Sequence, residues 1–281
     1  MNIYKVLPDL KKKRQMQLWH KALRDQWSAE DLDWQQPRRV TKGSSLDTLA
    51  RVLTPVLMGE QSALYSVSSL IPILGHQSEV EGQFYLTTWA VDEARHTELF
   101  TRYYGRIERE PMSIRRCPEG YLFQSRIVSN EPAEWLSGVL VSEVLALRFM
   151  IEFKRLDLDP VLSDICDGII RDESRHLGFN HIYLEDRFGR LFTGGGEEGE
   201  ALAQQLRDRV VYVLEGADKL LRSMDAELAE LGTDREELFG LARGEVNRRL
   251  EKSINAGRRV ASGAQQAGQL EHAGAIGNSQ P

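Results

Sequence analysis

The chain has 281 residues, 41% of them hydrophobic, and a formal net charge of −6. That is enough apolar material for a sizeable buried core, and it excludes a disordered chain. The acidic balance leaves no footprint for nucleic acid, two cysteines exclude a disulfide framework, and no run approaches the roughly 18 apolar residues of a membrane span. The opening MNIYKVLPDLKKKRQ lacks the apolar centre of a signal peptide, so a cytoplasmic location is expected, and its basic run reads as a solvated helix face. In chain order, an amphipathic helix is expected over 8–26, then a break at WSAEDLDWQQP. A long helix follows over about 45–73, ending near Pro72 and Gly75, and a second over about 78–107. Residues 109–130, with two prolines, read as a connection holding a short helix. A third long helix starts at Glu131-Pro132, where proline suits the first turn, and ends by Asp157. Asp159-Pro160 opens a fourth, running to about 187, and TGGGEEGE is a flexible break. Helices over about 198–231 and 233–257 complete the expected all-α domain, 1–257, with its bundle core at about 45–187. The Ala-, Gly- and Gln-rich stretch 258–281 reads as a disordered tail. No period-two strand pattern competes.

One pentapeptide pattern occurs twice. VDEARHTELF at 91 and RDESRHLGFN at 171 both contain Asp-Glu-x-Arg-His, eighty residues apart. Glutamate and histidine three apart on a helix project from one face. Glu93 with His96, and Glu173 with His176, are therefore two carboxylate–imidazole pairs suited to divalent transition metals. A single Glu-x-x-His is weak evidence, but the doubled form is not an accident of composition, because the chain has only six histidines. His20, His76, His181 and His272 read as ordinary solvent-facing or capping residues. In di-iron carboxylate bundles, two such helices are completed by one glutamate from each of two others.

The partner helices supply those glutamates. Glu60 lies 16 residues before the turn near His76, and Glu93 lies 17 after it, so both sit roughly 24–26 Å from the turn. Glu143 lies 15 residues before the turn near Leu158, and Glu173 lies 15 after it. Each lone glutamate stands in an apolar stripe, VLMGEQSAL or VLVSEVLAL, where an unpaired carboxylate is costly. The expected metal ligands are Glu60, Glu93, His96, Glu143, Glu173 and His176. Ligating histidines usually give their second ring N–H to a carboxylate. Asp92 is expected beside His176, and Asp172 beside His96. Arg95 and Arg175 either balance the carboxylates or form surface ion pairs.

These residues resemble the ligand set of the ferritin-like di-iron carboxylate superfamily over roughly 10–190, and within it the ribonucleotide reductase small subunit and its oxidase relatives. The resemblance implies a ferritin-like four-helix bundle with additional helices at both ends, which cover the bundle or form a homodimer interface. WSAEDLD at 27–33 resembles the tryptophan-plus-acidic segment before the bundle in that family, which relays electrons to the metals. By that likeness Trp27 neighbours Asp172. The departures are informative too. At the radical tyrosine of most reductase subunits stands Phe100, and no tyrosine follows Tyr212. The threonine of bacterial multicomponent hydroxylases is Leu147, the extra histidine of arylamine N-oxygenases is Ile169, and the cross-linking tyrosine of ligand-binding oxidases is Gly138.

The resemblance implies two iron ions, or a manganese–iron pair, with O2 as cosubstrate. The expected function is an O2-activating oxygenase or oxidase, performing C–H oxidation or amine N-oxygenation on a small, partly apolar organic molecule. A ferroxidase or a manganese–iron reductase-like subunit is the alternative. Electrons come from a ferredoxin or another reductase partner, and Trp27 is the expected entry. Leu57, Leu64, Trp89, Phe100, Val139, Leu140, Leu147 and Ile169 lie one turn from the ligands, and some of them are expected to line a pocket.

Overall fold

The computed structural model describes residues 7–11, 13–39 and 45–277, with side chains described as far as residue 264. Among these residues there are helices, two short 3-10 turns and loops, and no strand. Helix α1 (Arg14–Arg24) lies on the outside. The acidic segment after it is a turn at Ala29–Asp31, fixed by a capping box in which Ser28 and Asp31 exchange hydrogen bonds.

Four long helices follow. Ser45 starts α2 (Leu46–His76) by accepting the Thr48 N–H. Helix α3 (Val80–Ile107) returns antiparallel and ends at Glu108, which takes the left-handed conformation with φ 54°. A short α4 (Pro118–Ser125) bridges to α5 (Pro132–Leu156), which places its proline in the first turn. Asp157, also left-handed, closes α5, and Asp159 caps α6 (Pro160–Thr193) by accepting from the N–H groups of Val161 and Leu162. Helix α2 packs along α3 and α5 along α6, with α2 against α5 and α3 against α6, which closes the bundle. One contiguous apolar core fills it, with Leu53, Leu70, Trp89, Phe100, Phe153 and Phe179 among its fully buried members. Each such side chain contributes about 1.5–3 kcal/mol of burial.

Helices α7 (Glu197–Arg222), α8 (Asp225–Leu231) and α9 (Arg235–Gly277) complete the described chain. Helix α9 lies along α6 and α5, and α7 lies against α4, α5 and α6. Several boundaries differ from expectation. The single helix expected over 198–231 is broken at Ser223–Met224, where Met224 leaves helical geometry with no glycine or proline to announce it. Helix α6 runs past 187 to Thr193, stopping only at the glycine run. Helix α9 continues through 258–277, where a disordered tail was expected. Alanine is the strongest helix former, and Ala261 buries itself while Arg258 pairs with Glu200, so the start of the extension has both propensity and packing. Residues 278–281 lie outside the described residues. Among the described residues no helix is long and apolar enough to cross a membrane.

Candidate metal centre

The antiparallel pairing brings six side chains from four helices to one depth. Glu60 comes from α2, Glu93 and His96 from α3, Glu143 from α5, and Glu173 and His176 from α6. All six are between 0 and 3% exposed. Their ligating atoms form two overlapping quartets, each within 4.8 Å: Glu60, Glu93, His96 and Glu173, and Glu93, Glu143, Glu173 and His176. Glu93 and Glu173 belong to both. The arrangement could hold two cations that share two carboxylates.

Both histidines are held in the same way. His96 Nδ1 lies 3.1 Å from Glu60 Oε2, and its Nε2 lies 3.1 Å from Asp172 Oδ2. His176 Nδ1 lies 3.0 Å from Glu143 Oε2, and its Nε2 lies 3.2 Å from Asp92 Oδ2. An aspartate accepts, so Nε2–H donates to it, and Nδ1 of each ring is turned toward the glutamates, where loss of its proton would free a lone pair for an ion. Each aspartate thus serves the histidine of the opposite motif.

The arginines are buried, not on the surface. Arg95 reaches Asp172 at 2.8 Å and also pairs with Asp92. Arg175 reaches Asp92 at 3.0 Å and Asp172 at 2.5 Å. Two aspartates and two guanidiniums therefore form a closed ring behind the histidines. Gln26 joins it, accepting from Arg95 at 3.1 Å. Trp27 donates its indole N–H to Asp172 Oδ2 at 2.9 Å, and the Arg95 guanidinium lies 5.0 Å from its ring centroid. A hydrogen-bonded path thus runs from the half-buried Trp27 through Asp172 to His96.

With every carboxylate ionised and both imidazoles neutral, six buried carboxylates stand against two guanidiniums, an excess of four negative charges that two divalent cations would neutralise; without cations, protons take their place. Burial and the charge of Glu143 push the Glu93 carboxyl up to about 8. Burial and Glu143 also raise Glu173 well above the usual carboxylate range. Burial opposes protonation of His96, yet Glu60 and the hydrogen bond to Asp172 raise its pKa well above the ordinary value. Burial opposes ionisation of Asp172, but His96 and Arg95 outweigh it and hold the carboxyl well below its usual range. Glu60 Oε1, Glu93 Oε2 and Glu173 Oε2 are buried without any hydrogen-bond partner. Orphaned carboxylate oxygens close to one another suit a hard cation.

Of the expected pocket residues, Leu57, Trp89, Phe100, Val139, Leu140 and Ile169 are buried, while Leu64 and Leu147 are half-buried. None of them lines the small cavity of about 20 Å³ among α2, α4, α5 and α7, which is bounded by Val56, Gly59, Phe123, Ser142, Leu145 and Phe149 among others. Gly59 and Ser142 each precede a glutamate of the cluster, so the void opens between α2 and α5. Sequence reasoning missed the link of Gln26 to the ring and the donor role of Trp89, which gives its N–H to Glu93 Oε1 at 2.7 Å. The latter had a signal, since Trp89 and Glu93 are four apart on one helix.

No protein-family profile matches the sequence, and no curated protein matches it. Solved structures share its fold. An R2-like ligand-binding oxidase with an aerobically reconstituted Mn/Fe cofactor aligns with a TM-score of 0.67 at 18% identity, covering 90% of this chain and 96% of that one. A glycine-to-leucine mutant of an R2-like ligand-binding oxidase, with a non-activated Mn/Mn cofactor, gives 0.71 at 17% identity over 90% and 97% of the two chains. This likeness establishes the all-α, ferritin-like fold. With 90% of the chain aligned, the overlap extends beyond residues 10–190, so the shared fold includes carboxy-terminal helices.

Proposed function

We propose that the protein is a dimetal oxidoreductase in which Glu60, Glu93, His96, Glu143, Glu173 and His176 hold two ions, iron with iron or manganese with iron. O2 is the oxidant, and a small, partly apolar organic molecule is oxidised. The observation that carries this reading is the pair of overlapping quartets sharing Glu93 and Glu173. The Mn/Fe and Mn/Mn cofactors of the structural neighbours support the choice of metals. The donor set also argues against structural zinc, which favours cysteine and histidine.

When bound, the two ions supply electrons for O2 reduction. The protein's own groups do the rest. Glu60, Glu93, His96 and Glu173 would hold one ion, and Glu93, Glu143, Glu173 and His176 the other. Asp92 and Asp172 fix the histidine tautomers, so that both Nδ1 atoms stay available as donors. The Arg95–Arg175 ring neutralises those aspartates and keeps them from competing for protons. The walls exclude water from the centre: every ligand is buried, and the void between α2 and α5 is lined mostly by apolar side chains. The buried apolar side chains one turn from the ligands, Leu57, Val139 and Leu140 among them, favour a substrate with an aliphatic or aromatic part.

Electrons enter through Trp27 and Asp172, and an external ferredoxin or reductase supplies them. Phe100 at the reductase radical position favours use of the oxidant where it forms. Gly138 supports a chemistry without the tyrosine cross-link, since a Cβ there would meet the Ile127 carbonyl oxygen at 2.8 Å and no tyrosine fits. The test is anaerobic loading with Fe(II), a pulse of labelled O2, and a panel of amines, fatty acids and aromatic compounds. Label in a product shows an oxygenase, and oxidation without label shows an oxidase. Iron mineralisation, with no compound altering the course of O2 consumption, refutes the reading.

A further inference from the structure

Trp89 stands outside the ligand set yet touches it twice. Its ring is fully buried and stacks on His176, with centroids 4.5 Å apart and planes 17° from parallel. Its indole N–H donates to Glu93 Oε1 at 2.7 Å. Apart from the two histidines and the glutamates themselves, no other described side chain hydrogen-bonds to any of the four glutamates. The same Glu93 Oε1 lies 3.4 Å from His176 Nδ1, so the indole fixes the oxygen that faces the His176 half. Glu93 Oε2, the other oxygen, has no partner.

The two halves of the centre are otherwise built alike, from motifs eighty residues apart. The repeat places Ile169 where Trp89 would recur, four residues before Glu173. Isoleucine has no donor, and among the described rings no aromatic residue other than His176 contacts His96. The likeness of the halves is therefore broken at one pair of positions. The indole itself has little freedom. Tyr85 meets it edge-on at 6.2 Å and Phe179 at 6.0 Å, and these two stack on each other at 4.6 Å. An indole N–H held in such a core without an acceptor would be a costly orphan, so Trp89 and Glu93 fix each other.

We infer that Trp89 is a positioning residue that makes the two metal positions unequal, and that the half built from Glu93, Glu143, Glu173 and His176 is the tighter one. The inference rests on the two-metal reading above. Its physical basis is preorganisation: a carboxylate oxygen and an imidazole already held in place lose less freedom when an ion arrives.

The experiment is an anaerobic Mn(II) titration against a competing chelator, read by the resonance of free Mn(II). Wild type should show a tight and a weaker class of site. Trp89→Phe keeps a ring over His176 and removes the N–H, and it should weaken the tight class by about tenfold or more while sparing the other. In a His96→Ala background the same loss should appear, and in a His176→Ala background it should not. Tyr85→Phe removes a hydroxyl that has no partner and serves as the packing control, with both affinities kept. If Trp89→Phe does not fold, wild-type fluorescence decides, because the first equivalent of Mn(II) should quench more indole emission than the second. Two equal classes in wild type, a Trp89→Phe protein that binds both ions as before, or quenching weighted to the second equivalent overturns the inference and leaves the two-metal reading intact. Failure of wild type to bind two ions overturns that reading instead.

Discussion

Gly168→Ala reaches the centre through Trp27. A Cβ at Gly168 would lie 2.2 Å from both Cη2 and Cζ2 of the Trp27 ring. Ordinary carbon–carbon contact is about 3.5 Å, so the ring must retreat by roughly 1.3 Å. It cannot do so and keep Nε1 at 2.9 Å from Asp172 Oδ2. Trp27 is half-buried, so the ring moves outward rather than into the core. The lost hydrogen bond to a buried carboxylate is worth about 1.5–3 kcal/mol. Overpacking adds about 1–3 kcal/mol where the ring cannot escape, and the better helix propensity of alanine returns about 1 kcal/mol. A net loss of about 0.5–2 kcal/mol in chemical denaturation is expected when the ring swings outward, and about 1.5–5 kcal/mol when it cannot. The diagnostic effect is kinetic. Stopped-flow reduction of the oxidised centre by an external donor should slow in Gly168→Ala as it does in Trp27→Phe, with metal content unchanged. Wild-type reduction in a variant whose Trp27 has moved refutes the electron-entry reasoning. A Gly168→Ala protein more stable than wild type refutes the packing reasoning.

Arg95→Ala leaves two buried aspartates short of a partner and should cost about 3–5 kcal/mol in chemical denaturation. Arg95→Lys should restore only part of this, because an ammonium cannot span Asp92 and Asp172 as the guanidinium fork does. His181, whose Nδ1 lies 2.7 Å from Ser253 Oγ between α6 and α9, has its pKa lowered by burial and by Lys252, Arg14 and Arg249, against the pull of Glu185. The folded state therefore favours the neutral ring. Its contribution to stability is complete above a pH of about 6.5 and is lost as the pH falls through the lowered folded value. The thermal midpoint should drop on acidification below that pH, and His181→Gln should flatten the slope. Paramagnetic resonance after oxygenation of the reduced protein should show no long-lived tyrosyl signal, because Phe100 holds the reductase position. A strong signal would point to Tyr65, Tyr85, Tyr103 or Tyr104.

The six clustered residues were legible because each rests on a periodicity. Spacing of three on a helix sets Glu93 with His96, and equal distances from a turn set Glu60 against Glu93 and Glu143 against Glu173. The crossing of Asp92 to His176 and of Asp172 to His96 needed one further step, the habit of ligating histidines to seek a carboxylate. What stayed hidden depends on three-dimensional neighbours that no spacing encodes. The seat of Trp27 against Gly168 joins residues far apart in the chain, and the void along α2 and α5 is closed by Phe123, Gln124 and Leu220 from other helices. The break at Met224 carries no glycine or proline, and the helical course of 258–277 was masked by a composition that also suits disorder.

The most direct test of the account is the metal content of the anaerobically reconstituted protein, with anomalous scattering at the iron and manganese edges to locate the ions. The account predicts two ions per chain, bridged by Glu93 and Glu173, with at most one remaining in His96→Ala or His176→Ala. A single ion in wild type, ions bound elsewhere, or full occupancy in both histidine variants would contradict it.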